Sequence, residues 1–276
     1  MELQASLANL TQQKLGLAAI SYDSPAILKS FAERTNITFP LLSDPDSRII
    51  RAWGILNETV PAASPFYGIP YPGVFILDPS GVVVAKYFED DYRERYTASE
   101  ILMRQFGVAA GSAQMQSETK HLRLSTSVSL ATVKWGQRIA LVVDVDLKPK
   151  MHVYAPGVEG YIPIDWSITD SPAFKVHPIT YPASRKIHLK AINETVPVYE
   201  SHLRLVRDIT IGPDAKVKPV LTEKGELIIN GTFRYQACDD RTCYIPQNIP
   251  LTWTLRYEAL DRQRAPADLQ RKAPAR

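Results

Sequence analysis

Cys238 and Cys243 are the only cysteines among the 276 residues of this chain, and Asp239-Asp-Arg-Thr242 separates them. Any disulfide within the chain must join these two. Three chemistries fit so short a spacing. A fixed staple would close a loop of about six residues and contribute only about 2 kcal/mol, near the low end for disulfides. Zinc needs about four ligands, and none of the five histidines lies near the pair in sequence, although a fold could bring His188 or His202 close. Reversible thiol–disulfide exchange fits best, because local loops can be strained and their bridges labile. Exchange requires a thiolate, and a free cysteine ionises near a pKa of about 8.5. Arg241 would favour the anion, and Asp239 and Asp240 would oppose it.

The elements around the pair are short and extended. Gly231-Thr-Phe-Arg-Tyr-Gln-Ala237 precedes the cysteines and Ile249-Pro-Leu-Thr-Trp-Thr254 follows them, which places both sulfurs at the end of a hairpin with a polar surface turn. From His121 to Tyr257 strands are expected around 122–129, 138–147, 163–169, 173–178, 200–211, 216–222, 226–236 and 249–257, with no helix of three turns. That pattern predicts a β-sandwich of immunoglobulin type. Trp53, Trp135, Trp166 and Trp253 are read as core, and His152 beside Tyr154 as strand-end packing.

The first part alternates helix and strand. A helix over 2–14 carries Leu3, Leu7 and Leu10 on one face. A strand ending at Ser21 follows, then a helix to Arg34 with Ser24 as N-cap and Pro25 in its first turn. Asp44-Pro-Asp46 opens a third helix with Ile49, Ile50 and Trp53 inward, the two aspartates serving as caps. Val74–Leu77 and Val82–Lys86 form a hairpin about Asp78-Pro-Ser-Gly81, and a last helix spans 98–106. The small, polar, aperiodic run 107–119 contains the expected linker, 109–119, between units at 1–108 and 120–258. The Ala/Pro-rich stretch 259–276 is expected to be disordered.

With 45% hydrophobic and 22% charged residues, the chain can bury a real core. No apolar run approaches the roughly 20 residues of a membrane span. The net charge of +3 is local to 259–276, which holds five Lys/Arg and two Asp, so no nucleic-acid surface is expected. The four Asn-x-Ser/Thr sequences at Asn36, Asn57, Asn193 and Asn230 are read as unmodified. There is no Gly-rich phosphate loop, no Ser-His-Asp arrangement and no zinc spacing, and no cofactor is expected. The start, Met1-Glu-Leu-Gln-Ala-Ser-Leu, lacks a secretory signal. It opens inside a helix, as a chain missing its natural beginning would.

Two resemblances extend this reading. Phe233-Arg-Tyr-Gln-Ala-Cys-Asp-Asp-Arg-Thr-Cys-Tyr-Ile-Pro246 resembles the cysteine hairpin of the amino-terminal domain of DsbD, the membrane thiol:disulfide interchange protein. Met151-His-Val-Tyr-Ala-Pro156 and Val196-Pro-Val-Tyr-Glu-Ser-His-Leu-Arg-Leu205 fit the same family. The resemblance implies an immunoglobulin-like fold and a periplasmic or exported setting; a genuine start at Met1 would instead imply the cytoplasm. It also implies partners among thioredoxin-fold or other disulfide-bearing proteins, and a membrane electron-transfer partner. By position, Cys243 would form the mixed disulfide and Cys238 would resolve it, with Tyr244 beside them. The family's cap loop corresponds to Lys190-Ala-Ile-Asn-Glu-Thr195, with Ile192 nearest the cap position, but without the family's aromatic and acidic cap residues.

Ala18-Ala-Ile-Ser-Tyr-Asp-Ser-Pro25, Phe39-Pro-Leu-Leu-Ser-Asp44 and Tyr67-Gly-Ile-Pro-Tyr-Pro-Gly-Val-Phe-Ile-Leu-Asp78 resemble the peroxiredoxin/AhpC-TSA branch of the thioredoxin fold. Tyr71 and Pro72 fall at its cis-proline groove. The family's first strand and cysteine motif would precede Met1, and residues 1–119 contain no cysteine. The expected architecture is therefore an α/β thioredoxin-like domain, incomplete at its amino terminus, followed by an all-β immunoglobulin-like sandwich acting as a protein-disulfide oxidoreductase. The rival reading is a non-enzymatic interaction module with a structural disulfide and a redox-inert thioredoxin fold.

Overall fold

The chain forms two units in a computed structural model, which describes residues 2–89, 91–108, 111, 113–189, 193–239 and 241–270. One unit comprises Met1–Phe106 with Leu260–Arg276, the other Gly107–Ala259.

The first unit runs α1 (Glu2–Ala5), α2 (Leu7–Gln12), β1 (Ala19–Ser21), α3 (Pro25–Thr35), β2 (Leu41–Ser43), α4 (Arg48–Ala52), β3 (Gly73–Leu77), β4 (Val83–Phe88), β5 (Arg95–Tyr96) and α5 (Ala98–Phe106). β1 and β2 pair in parallel, and β3 and β4 form an antiparallel hairpin. The Ser24 hydroxyl accepts from the Ile27 amide and caps α3, which ends at Asn36 in the left-handed region, φ 53°. The Asp44 carboxylate accepts from the Arg48 and Ile50 amides and so starts α4; Asp46 is exposed. Of the three residues expected inward on α4 only Ile50 is buried, whereas Ile49 and Trp53 are 50% and 43% exposed. A helix of five residues presents little more than one position to the core, and Ile49 lies about 100° around the axis from Ile50.

The peptide bond before Pro72, expected to be cis, is trans, as are all described peptide bonds. An aromatic residue shifts the X–Pro balance only modestly from a cis share of about 5–6%. Tyr71 is held by its amide, which donates to the Ile55 carbonyl at 2.8 Å. The described part of the carboxy-terminal stretch is irregular, yet not loose: Arg34 on α3 binds Asp261 and Gln263.

The second unit runs β6 (Met115–Glu118), β7 (Leu122–Val128), β8 (Thr132–Val133), β9 (Gln137–Leu147), β10 (His152–Tyr154), β11 (Asp165–Ile168), β12 (Phe174–Val176), β13 (Arg185–Leu189), β14 (Glu194–Glu200), β15 (His202–Ile211), α6 (Asp214–Val217), a 3-10 turn (Lys218–Val220), β16 (Glu226–Tyr235), β17 (Ala237–Cys238) and β18 (Gln247–Tyr257). One sheet is ordered β12-β15-β9-β7-β6 and a second β11-β16-β18-β8. Side chains alternate along β16 and β18 with the period of two that a half-buried strand requires. Leu124, Leu141, Val143 and Leu205 from the first sheet and Trp166, Ile229, Phe233 and Trp253 from the second form one core. A third sheet, β13-β14-β10-β17, carries the cysteine site.

Three expectations change. The strand expected over 216–222 is α6 and its 3-10 turn, because Pro219 has no amide to give a ladder. The strand expected over 200–211 is β15, but β13 and β14 before it lie where no strand was expected, β14 ending at Glu200 ahead of a left-handed φ of 62° at Ser201. The linker gives way to strand at Met115, and the Gln114 side chain both donates to and accepts from the Thr254 backbone. Trp166 and Trp253 are core as expected; Trp135 is only half-buried.

Trp253 reaches across this core. It is fully buried, stacks on Trp166 with ring centroids 5.5 Å apart, and donates its indole N–H to the Ser127 carbonyl at 3.1 Å. Trp253→Ala should destabilise the sandwich by about 3–5 kcal/mol, and Trp253→Phe by less, measured as the shift in urea midpoint followed by circular dichroism.

Candidate functional site

β16 and β18 pair as far as Tyr235 opposite Gln247. Beyond that pair the chain does not close a plain hairpin turn. Ala237 and Cys238 leave the β16–β18 ladder and pair with Val153 and His152 of β10. Val153 in turn faces Tyr199 of β14. This switch of sheet carries Cys238 inward: it is 1% exposed and clusters with Tyr154, Val196 and Val198, against which Val158, Tyr161 and Ile187 pack.

Cys243 returns opposite Cys238 as an isolated antiparallel bridge, and the two are joined in a disulfide with Cα atoms 4.1 Å apart. Cys243 is exposed. The sulfurs are thus inequivalent: one is closed in an apolar pocket and the other faces solvent. The Tyr154 hydroxyl lies 3.5 Å from the Cys243 sulfur. Tyr161 stacks on Tyr154 at 4.3 Å and donates its hydroxyl to Glu194 at 2.9 Å. Burial first, then the neighbouring Tyr161 and Glu194, push the Tyr154 phenol up to about 12. It is therefore neutral, and able to donate, around the pH of about 8.5 at which a free cysteine ionises.

The turn between the cysteines is built on Asp239. Its carboxylate accepts from the amides of Arg241 at 2.8 Å and Thr242 at 2.7 Å, and from the Tyr244 hydroxyl at 2.8 Å. The Arg241 amide foremost, then the Tyr244 hydroxyl and the Thr242 amide, hold this carboxyl below the usual carboxylate range. The same bond raises Tyr244 above the ordinary phenol value. Tyr244 is pinned further: its amide donates to the Ala237 carbonyl at 2.9 Å and its carbonyl accepts from the Gln236 side chain at 3.0 Å.

The residues expected to tune the thiols therefore divide. Asp239 organises the turn, Arg241 is exposed, and Tyr244 buttresses Asp239. Asp240, and Ile192 at the cap position, lie outside the described residues. Glu194, at the end of the cap stretch, enters the site through Tyr161. Tyr154 and Tyr161 were not singled out as site residues from sequence. Tyr154 stood within a motif that could have signalled it; Tyr161 reaches the site through the β10–β11 connection and has no local signature. His152 is 4% exposed and meets Tyr154 edge-on at 5.6 Å, the packing role expected of it. Tyr71 and Pro72 belong to the other unit. Among the described residues, no three His, Cys, Asp or Glu side chains converge as metal ligands.

Because the Asp239 pKa is depressed, its contribution to turn order is present above the ordinary value of about 3.9 and is lost as pH falls through the lower folded value. Asp239→Ala should remove that order at every pH, as a several-fold loss of amide hydrogen-exchange protection at Arg241 and Thr242. In the unsubstituted chain the share of protection that comes from the Asp239 carboxylate should persist until the solution is more acidic than the ordinary carboxylate range.

Comparison with known proteins finds a separate family match in each part of the chain. Residues 1–86 match the AhpC/TSA family, and residues 124–251 match the family of the thiol:disulfide interchange protein DsbD, N-terminal. A Mycobacterium tuberculosis protein named as a peroxiredoxin is 36% identical over 91 residues, 31% of this chain and 55% of that protein. Alkyl hydroperoxide reductase E of Mycobacterium bovis is 32% identical over 84 residues, 30% of this chain and 50% of that protein. The chain spans about half the length of the curated relatives it matches. Among solved structures, the N-terminal periplasmic domain of ScsB from Proteus mirabilis aligns with 15% identity and a TM-score of 0.37, covering 57% of this chain and 53% of that one. The reduced N-terminal domain of Neisseria meningitidis DsbD aligns with 10% identity and a TM-score of 0.30, covering 42% of this chain and 78% of that one. At those scores the assignment rests on the family matches. The chain carries an AhpC/TSA peroxiredoxin-like region followed by a DsbD N-terminal domain whose two cysteines stand at disulfide distance.

Proposed function

We propose that the second unit is a protein-disulfide reductase or electron relay, working through Cys238 and Cys243 on thioredoxin-fold or other disulfide-bearing proteins in the periplasm, with a membrane partner supplying electrons. The observation that carries this reading is the inequivalence of the two sulfurs, Cys243 exposed and Cys238 1% exposed. Only the outer sulfur can meet a visiting protein, and only the inner one is screened from it.

In the reducing direction the cycle balances as follows. The Cys243 thiolate attacks one sulfur of the partner disulfide, forms a mixed disulfide and releases the partner's other sulfur as a thiolate. The Cys238 thiolate then attacks the Cys243 sulfur, reforms the internal disulfide and releases the second partner thiolate. Two electrons pass to the partner, whose thiolates take protons from solvent. The neutral Tyr154 hydroxyl beside Cys243 is placed to donate to a developing thiolate there. The alternation of roles needs one sulfur at the surface and one behind it, which a staple does not.

The trapping experiment separates the roles. Cys243→Ser should abolish covalent complexes with an oxidised thioredoxin-fold protein on non-reducing gels, whereas Cys238→Ser should accumulate them; equal trapping by both variants would overturn the assignment. A redox titration separates exchange from stapling. A pair poised well below about −300 mV behaves as structural, and that result would favour the interaction-module reading.

A further inference from the structure

We propose that His121 is a positioning residue for the cysteine turn: its ring supports Tyr244, and its protonation loosens the turn that presents Cys243. The consequence for exchange rests on the function proposed above; the placement of His121 does not.

His121 lies just before β7 and is 6% exposed. Its ring faces Tyr244 with centroids 4.5 Å apart at 34°, and meets Tyr235 edge-on at 6.3 Å. Both backbone ends are fixed, the amide donating to the Thr119 hydroxyl at 3.1 Å and the carbonyl accepting from the Lys148 amide at 2.8 Å. The ring is therefore a rigid platform. Upon it sits Tyr244, the residue after Cys243, whose hydroxyl donates to Asp239, and Asp239 holds the amides of Arg241 and Thr242. A contiguous chain of contacts thus runs from His121 to the backbone on which Cys243 is presented.

The platform suits a neutral ring. Nδ1 is buried and has no hydrogen-bond partner, so protonating it would create a buried donor with nothing to accept it. The charged neighbours are also of the wrong sign: burial first, then Lys120 and Lys148, hold the His121 pKa below its ordinary value. The Lys148 ammonium is itself engaged by Glu118 at 2.9 Å. Among the described residues the ring also faces the phenols of Tyr235 and Tyr244, with Asp239 at the far end of the Tyr244 hydroxyl. A depressed histidine pKa means that the ordered turn is fully supported above about pH 6.5, the unperturbed value, and loses support as pH falls through the lower folded value. Asp239 is held below the ordinary carboxylate range, so it is ionised where the fall begins.

The test compares the intact chain with His121→Phe, which keeps an aromatic platform that cannot titrate, and His121→Ala, which removes it. Amide hydrogen exchange at Arg241 and Thr242, corrected for intrinsic rates, reports the turn; reduction of the bridge by dithiothreitol, per thiolate, reports access to Cys243. Protection in the intact chain should fall by about fivefold, the worth of one neutral hydrogen bond, as pH drops from above 6.5 to below the folded value. His121→Phe should stay flat, and His121→Ala should be unprotected on both sides. Identical pH profiles for the intact chain and His121→Phe would overturn the proposal, as would full protection in His121→Ala. A bridge that resists dithiothreitol in all three proteins while the amides still respond would sink the exchange reading and leave the role of His121 standing.

Discussion

Two residue pairs between β10 and β17, His152 with Cys238 and Val153 with Ala237, decide what the cysteines can do. Without them, residues 236–246 would be an ordinary loop closing β16 onto β18, with both sulfurs at the surface. With them, the chain leaves one sheet, enters a second for two residues and returns. That excursion seals Cys238 among Tyr154, Val196 and Val198. Cys243 lies on the return path, beyond the reach of the second sheet, and stays outside.

Preorganisation of the return path falls to Asp239. A carboxylate beside a thiol would normally oppose the thiolate, and the two aspartates between the cysteines suggest such a penalty. Asp239 is instead engaged by two amides and a phenol, which disperses its charge over donors and converts a liability into a turn. The aromatic surroundings of the sulfurs have a similarly indirect origin. Tyr154 comes from β10 and Tyr161 from the connection that follows it, and the two stack to present one hydroxyl to Cys243 and the other to Glu194.

The two units differ in how their sheets are built. In the sandwich, long strands bury alternate residues and carry a continuous core. In the first unit β1 to β4 form two separate pairs, and none of their residues is fully buried; its buried positions come largely from helices, Leu28, Ile50, Ile101 and Leu102.

Local pattern was enough for whatever repeats along the chain. Period-two alternation gave β16 and β18, Ser24 and Pro25 announced α3, and the strand-sized apolar run Ile139-Ala-Leu-Val-Val143 marked β9. It misled where neighbours in space outvote neighbours in sequence: Lys216–Thr222 alternates like a strand but contains a proline without an amide, and Ile49 and Trp53 look inward on a helix too short to have a broad face. The identity and spacing of the two cysteines, the polar turn between them and the flanking strands were determined by the sequence alone. Which sulfur is buried, what the aspartate binds, and the arrival of Tyr154, Tyr161 and His121 at the site were decided only in the folded chain. The bonds of Asp239 are local, but the burial of Cys238 and the arrival of Tyr154, Tyr161 and His121 depend on contacts between segments about 80 to 120 residues apart, and no local periodicity encodes such contacts.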